Sequence, residues 1–480
     1  MPHKIKTTIK SIATKSFTVF GKRIALYWVA LVVGIACFGA VGLAVAHAYT
    51  QNRAANHPQA GSAAASSSAS SAAAKAKSSD HKVSSVTPAA TAISVEAATA
   101  ISAEALTTST TIGPVAITQP ASVITPEQYG AVGDGTHDDT TALQSAVTAA
   151  SGKSPVWLSA GKTYLANKTI RVSSDTTIQG AGPTAVLKFT WSDLSGPSSG
   201  GNPYLGNKDF NTGNSNINFT NFVVIGAGSG QPSGPSALYP NGLVAGVRLR
   251  KTTNFSFLHL EIKNVPGISL TYQGGQNGTV EYNNIHNSGR DGITGFWQEG
   301  GLRNVTVAYN NVSEVGDDGI AINGLLAEPN PANTSELPTD IRIFNNTITG
   351  WGSNVNGRTM GRGIFLSGVN GIVAQNNSIK NTASAGILVS GCNEHLCSNG
   401  SNDPATGQRW RSQNVKILDN SITNAGQLSI GSTVADIVGA QSTDGISFVR
   451  TDNSLASGNL IANSLGQAVN SNDCSNCTLQ

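Results

Sequence analysis

Six times between Asn283 and Asn459 the chain repeats one phrase, an Asn followed two residues later by Ile or Val: Asn283/Ile285, Asn310/Val312, Asn346/Ile348, Asn377/Ile379, Asn420/Ile422 and Asn459/Ile461. The asparagines are 27, 36, 31, 43 and 39 residues apart. That is too irregular for a helical solenoid, but it suits short strands that keep register while the turns between them absorb insertions. An Asn stacked on its own kind can bond amide to amide along the axis and satisfy the backbone of a tight turn. The phrase therefore predicts an all-β chain, a right-handed parallel β-helix, with the asparagines in a structural ladder.

A second column, Gly before an aliphatic residue, runs through the same coils: Gly267-Ile268, Gly292-Ile293, Gly319-Ile320, Gly363-Ile364, Gly386-Ile387 and Gly445-Ile446. Strand alternation points Ile293, Ile320, Ile364 and Ile387 inward and Thr294, Ala321, Phe365 and Leu388 outward. With 53 glycines, 12% charged and 6% aromatic residues, the composition is that of a Gly-rich, charge-poor solenoid.

Residues 1–23 hold six Lys or Arg and no acid, and residues 24–46 form an apolar run long enough to span a bilayer. Ala46-His47-Ala48 has the small-x-small form of a signal-peptidase site. Residues 24–48 are expected to be either a cleaved signal or a membrane anchor, and both place the rest of the chain at the cell surface or outside. Without the basic segment the formal charge falls from +3 to −3, since +3 minus 6 is −3, which argues against a nucleic-acid partner. Residues 49–120, rich in Ala, Ser and Thr with no apolar periodicity, read as a flexible linker, leaving 121–480 for the solenoid. Outside the apolar run stand Cys392, Cys397, Cys474 and Cys477. This even number suggests the disulfides Cys392–Cys397 and Cys474–Cys477, with a four-Cys metal site as the alternative.

Ahead of the coils, Tyr129-Gly-Ala-Val-Gly-Asp-Gly-Thr-His-Asp-Asp leads into a segment with Leu143, Ala146 and Val147 at helical spacing. Asp138 or Asp139 can cap a helix reaching about Ala150, which would plug the open end of the solenoid and protect its edge strand. Asp134, Asp138 and Asp139 are read as cap residues, and His137 as exposed. This passage resembles the opening of the pectate-lyase superfamily domain of rhamnogalacturonase-like and epimerase-like β-helix proteins and of phage tailspike depolymerases.

The residue before the Gly-aliphatic column varies: Pro266, Asp291, Asp318, Arg362, Ala385, Asp444. Neighbouring coils lie roughly 4.8 Å apart, so Asp291 and Asp318 should stack, with Asp317 beside them. Two carboxylates that close repel, and one holds its proton to higher pH, which places a general acid next to a general base. The segments Ser288-Gly-Arg-Asp-Gly-Ile and Val315-Gly-Asp-Asp-Gly-Ile-Ala-Ile-Asn-Gly resemble the first two of four catalytic motifs of polygalacturonase-type glycoside hydrolases. The resemblance implies that Asp318 donates a proton to the leaving oxygen while Asp291 and Asp317 hold and activate water. The chain departs from the third motif, where Gly361-Arg362-Gly363 has Arg in the His position, and from the fourth, where Gly386-Ile387-Leu388-Val389-Ser390 lacks the Arg and Lys that would bind a uronate carboxylate.

The reading favours a polysaccharide hydrolase with no cofactor. Arg362 also suits a lyase or epimerase, as a base working beside carboxylate-held Ca²⁺. The non-enzymatic alternative is a glycan-binding or adhesive protein in which these charges form an ion-pair ladder. Substrate contacts are expected from Arg362, Trp297, Asn323 and Glu299, with Trp297 exposed for stacking on a sugar ring. Arg290, His286, Trp351 and Arg358 lie at nearby strand ends. Insertions at 324–339, 351–361, 391–413 and 427–443 would wall a groove, open or covered by 351–361.

Overall fold

A computed structural model describes residues 17–19, 22–24, 110–191, 203–228, 244–297, 300–324, 336–350, 361–391, 410–427 and 442–480. The chain divides into two units, 1–93 and 94–480. In the first, Phe17–Val19 and Lys22–Ile24 pair as antiparallel strands. The apolar run beyond residue 24, Cys392 and Cys397, Glu299, Trp351, Arg358 and most of the four insertions lie outside the described residues. Among the described residues no helix is long and apolar enough to cross a membrane.

In the second unit the turns of the chain lay down strands in three eleven-stranded sheets, and the paired strands run parallel. The first sheet runs from Val156–Leu158 to Thr478–Leu479, the second from Asp134–Asp138 to Leu460–Ala462, and the third from Ile170–Val172 to Val469–Ser475, with Ile387–Ser390 and Ser412–Gln413 of one coil both pairing with Ile446–Asp452. This is a parallel β-helix, right-handed as parallel crossovers are. One apolar core fills it from Ala131 to Ala456.

The ladder forms as the repeat requires. Asn310 Oδ1 accepts the backbone N–H of Asn283 at 3.0 Å and its Nδ2 at 2.9 Å, while Asn310 donates from Nδ2 to Val280 O at 2.8 Å and to Asn346 Oδ1 at 3.0 Å. The same links join Asn346, Asn377, Asn420 and Asn459. Asn310→Leu would strand several buried polar groups at once, so a loss of about 2–3 kcal/mol in denaturant unfolding is expected. An unchanged midpoint would remove the ladder from the account of stability.

Two further columns went unread in the sequence. Six residues before the ladder position the backbone is left-handed at Asn254, Asn277, Asn304, Asp340, Gly371, Asn414 and Asn453. Four residues after it the same holds at Asn264, Asn287, Glu314, Asn381, Asn424 and Asn463. Asn tolerates this region better than most side chains, and exposed side chains link along the axis, as from Asn304 to Asn277 to Asn254 to Asn216. The left-handed corners therefore keep a fixed spacing from Asn254 to Asn463, except at Gly350 after Asn346.

The glycine column has a packing cause. A Cβ on Gly319 would sit 2.5 Å from Ile348, and one on Gly363 2.4 Å from Ile379, so the aliphatic residue of each ladder phrase occupies the space beside a glycine one coil back. The register joins Ile293, Ile320, Ile364, Ile387 and Ile446 directly. Gly267-Ile268 does not belong to the column. Leu270 pairs with Ile293, so Ser269-Leu270 holds that place and Ile268, rather than Pro266, stands in line with Asp291.

The helix Thr140–Ala150 buries Ala142, Leu143, Ala146, Val147 and Ala150 against the end of the solenoid. Asp138 accepts the Thr140 N–H at 3.0 Å, while Asp139 instead holds the preceding loop through the N–H groups of Val132 and Gly133 at 2.8 and 3.1 Å. Asp134 accepts from Thr136 and His137, so all three acids serve the turn. The packed chain starts before residue 121: Gly113 donates to Tyr282 O, Val115 bonds to the Asn221 side chain, and Ile117 donates to Ala181 O. In the last coil Cys474 and Cys477 are joined, with Cα atoms 5.9 Å apart.

Candidate functional site

Successive backbone bonds, Gly292 N–H to Asp318 O and Gly319 N–H to Arg362 O, both 2.9 Å, stack Asp291, Asp318 and Arg362 in three neighbouring coils at the entry to the third sheet. Asp317 lies beside them. Oxygens of Asp291, Asp317 and Asp318 come within 4.8 Å of one another. Arg362 grips Asp318 with both ends of its fork, Nε to Oδ1 at 2.6 Å and Nη2 to Oδ2 at 3.0 Å, and reaches Asp317 at 3.3 Å. Its guanidinium carbon lies 4.0 Å over the Phe365 ring. Arg290 Nε lies 3.7 Å from Asp291 and 3.6 Å from Asp317, and Thr294 donates its hydroxyl to Asp291 at 2.9 Å.

The cluster is covered. Asp291, Asp318 and Arg362 are at most 4% exposed and Asp317 is 7% exposed. Among the described residues three carboxylates against two guanidinium groups leave a formal charge of −1, which burial disfavours. Burial pushes Asp291 up to about 6, with Arg290 opposing and Asp317 reinforcing the rise. Burial also raises Asp318 well above the usual range, against the pull of Arg362. Asp291 and Asp318 titrate together, and one proton neutralises the set. For Arg362, burial alone would lower the pKa, but the carboxylates of Asp318, Asp317 and Asp291 outweigh it and hold the guanidinium charged.

An unfolded Asp titrates near 3.9, so between about pH 4 and about pH 6 the folded chain holds a proton that the unfolded chain has released. Stability from this cluster falls as pH rises through that window, by up to about 1.4 kcal/mol per pH unit for one proton. Asp291→Asn should flatten the slope relative to the unaltered chain in denaturant midpoints measured across the window. Parallel slopes would mean that the set carries no such proton.

The outward column Thr294, Ala321, Phe365 and Leu388 is in register as expected, but it is covered. Ala321, Phe365 and Leu388 join Ala385 in an apolar cluster separate from the core. Trp297 is 3% exposed rather than an open stacking surface. Asn323 ends the strand Ile320–Asn323 on the outer face and is buried. His286 lies on the second sheet, 3.1 Å from Glu261, away from the cluster. Sequence reasoning missed Thr294 and Phe365 as cluster partners and Ser367 as the neighbour of Asn323. The signal was their register, one and three residues into each strand.

A solenoid of three parallel sheets with an acidic cluster beside one outer face defines a pectate lyase-like β-helix protein. A family model described as "Rhamnogalacturonase A/epimerase, pectate lyase-like" matches residues 125–388, more than half of the chain, and the chain belongs to that family. A capsule K30/K69-specific depolymerase of Klebsiella phage K5-2 is 55% identical over 42 residues, 9% of this chain and 5% of the phage protein. The pre-neck appendage protein of Bacillus phage B103 is 39% identical over 99 residues, 20% of this chain and 10% of that protein. The chain thus matches a tenth or less of either relative. Among solved structures, a Family 28 exopolygalacturonase of Yersinia enterocolitica superposes with a TM-score of 0.51 at 15% identity, over 75% of this chain and 79% of that one. Tailspike protein 2 of the Escherichia coli O157:H7 bacteriophage CAB120 gives 0.52 at 15%, over 78% and 45%. PfbA, a surface adhesin of Streptococcus pneumoniae, gives 0.51 at 13%, over 75% and 89%. What these three share with the chain is the fold, and one fold hosts many functions.

Proposed function

We propose that the chain hydrolyses glycosidic bonds of a polysaccharide outside the cell, with Asp318 as proton donor and Asp291 and Asp317 activating the attacking water. The observation that carries this reading is three carboxylates from two adjacent coils, their oxygens within 4.8 Å, sharing a site whose charge calls for one proton. The fold needs no such group, and a protonated acid beside ionised ones is the equipment of general acid–base glycoside cleavage. Asp317 and Arg290, with side chains 9% and 11% exposed, form the edge from which a sugar reaches the cluster. Arg362 positions Asp318. Held charged by three carboxylates, it is poorly suited to act as a base, and this favours hydrolysis over elimination. With two guanidinium groups already against the carboxylates, the set also has less call for Ca²⁺.

The second reading, a glycan-binding surface protein, draws support from the burial and arginine pairing of the cluster, which also suit a structural ion network. Polysaccharide as the partner accords with the capsule-specific depolymerase named among the relatives. The test is a panel of polysaccharides read for new reducing ends and for absorbance of unsaturated uronates. Reducing ends without that absorbance are expected. Absorbance would assign a lyase, and retention of a glycan without cleavage would assign a binder.

A further inference from the structure

The outer face of the third sheet holds a second polar group, away from the acids. Ile320 and Ile322 enter the core, as do Ile364 and Leu366, so Asn323 and Ser367 point outward, directly opposite each other in adjacent coils. From the coil before, the residue in register with Asn323 is Phe296, also buried. The Asn323 and Ser367 side chains are both buried, and each leaves one polar atom without a hydrogen-bond partner: Asn323 Oδ1 and Ser367 Oγ. Buried polar atoms are nearly always paired, so two open ones opposite each other in adjacent coils mark a place built to receive a polar group.

We infer that Asn323 and Ser367 form a subsite for a neutral, hydroxyl-bearing sugar unit, with Phe296 in register beside them. The Asn oxygen only accepts, and the Ser hydroxyl both donates and accepts. A sugar hydroxyl, being donor and acceptor, can satisfy both. A carboxylate would meet the lone pairs of Asn323, and none of the three residues supplies a positive charge. Asp318 and Asn323, like Arg362 and Ser367, are five residues apart along their chains, roughly 16 Å in extended form, so the subsite holds a different unit of the glycan from the one at the acids. The inference rests on the polysaccharide reading for its ligand class.

Crystals of the full chain soaked separately in glucose, galactose, mannose and rhamnose, and in galacturonate and glucuronate, test it. A neutral sugar with hydroxyls on Asn323 and Ser367 is expected, and Ser367→Ala should weaken its binding about tenfold in solution titration. Water alone at the two atoms, preferential binding of a uronate carboxylate there, or undiminished binding by Ser367→Ala would overturn it. Asp318→Asn should leave this binding unchanged. If that variant also keeps full turnover while sugar still occupies the subsite, the hydrolytic reading fails and the subsite stands.

Discussion

Replacing Arg362 with alanine is expected to cost about 3–5 kcal/mol of folding stability, because it strips the partner from buried carboxylates. Without it, three acids would face one arginine, a formal charge of −2 where burial already disfavours −1. The guanidinium also covers Phe365, so its removal opens space over the separate outer apolar cluster. Denaturant unfolding near neutral pH reads the loss, and part of it should return at lower pH as the freed acids take up protons. Arg362→Lys should recover less than half, since an ammonium cannot hold both oxygens of Asp318. If Arg362→Ala unfolds at the original midpoint, the buried ion network is not what holds these coils together.

Asp318→Asn should lower the hydrolytic rate by about 10²–10⁴ on a verified substrate, the usual contribution of a positioned proton donor. The same change leaves two acids against two arginines, a neutral set that no longer needs its proton. The variant should therefore fold well and lose the proton uptake along with its activity. Equal loss of kcat and kcat/KM would place the interaction in the transition state. Full activity in Asp318→Asn would end the assignment of roles and leave the lyase or glycan-binding reading.

The ladder and the glycine column were legible because each repeats one residue type for one geometric reason. The other corners were harder to read, since Asn there alternates with Asp, Glu and Gly, all of which can occupy the left-handed region in their coils. Gly267-Ile268 misled for the opposite reason: a chance dipeptide two residues out of register matched the pattern, while Ser269-Leu270 performs the role with other residues. The column Asp291, Asp318, Arg362 followed from register alone. The engagement of Arg362 with Asp318 did not, because it depends on side-chain direction across coils. Nor did the burial of Trp297, since strand spacing is silent on what packs around a strand end.

The fixed corner spacing confines change. In the coils from Asn254 to Asn463 the chain keeps one length from six residues before the ladder position to four after it, and the shortest repeat there runs 23 residues, from Leu260, whose N–H the Asn283 side chain accepts, to Asn283. In these coils all length beyond that falls on either side of the third sheet, whereas the coil of Thr176 and Val186 carries four residues more than the paired span Ile217 to Val223 between the first and second sheets. Loops beside the third sheet can lengthen at an entropic cost that grows only with the logarithm of their size, while the frame that positions Asp291, Asp318 and Arg362 stays in phase. The molecule is thus divided into a conserving part and a variable part by geometry alone. Exchange of segments between related chains should succeed at the borders of the third sheet and fail inside the eleven-residue corner frame.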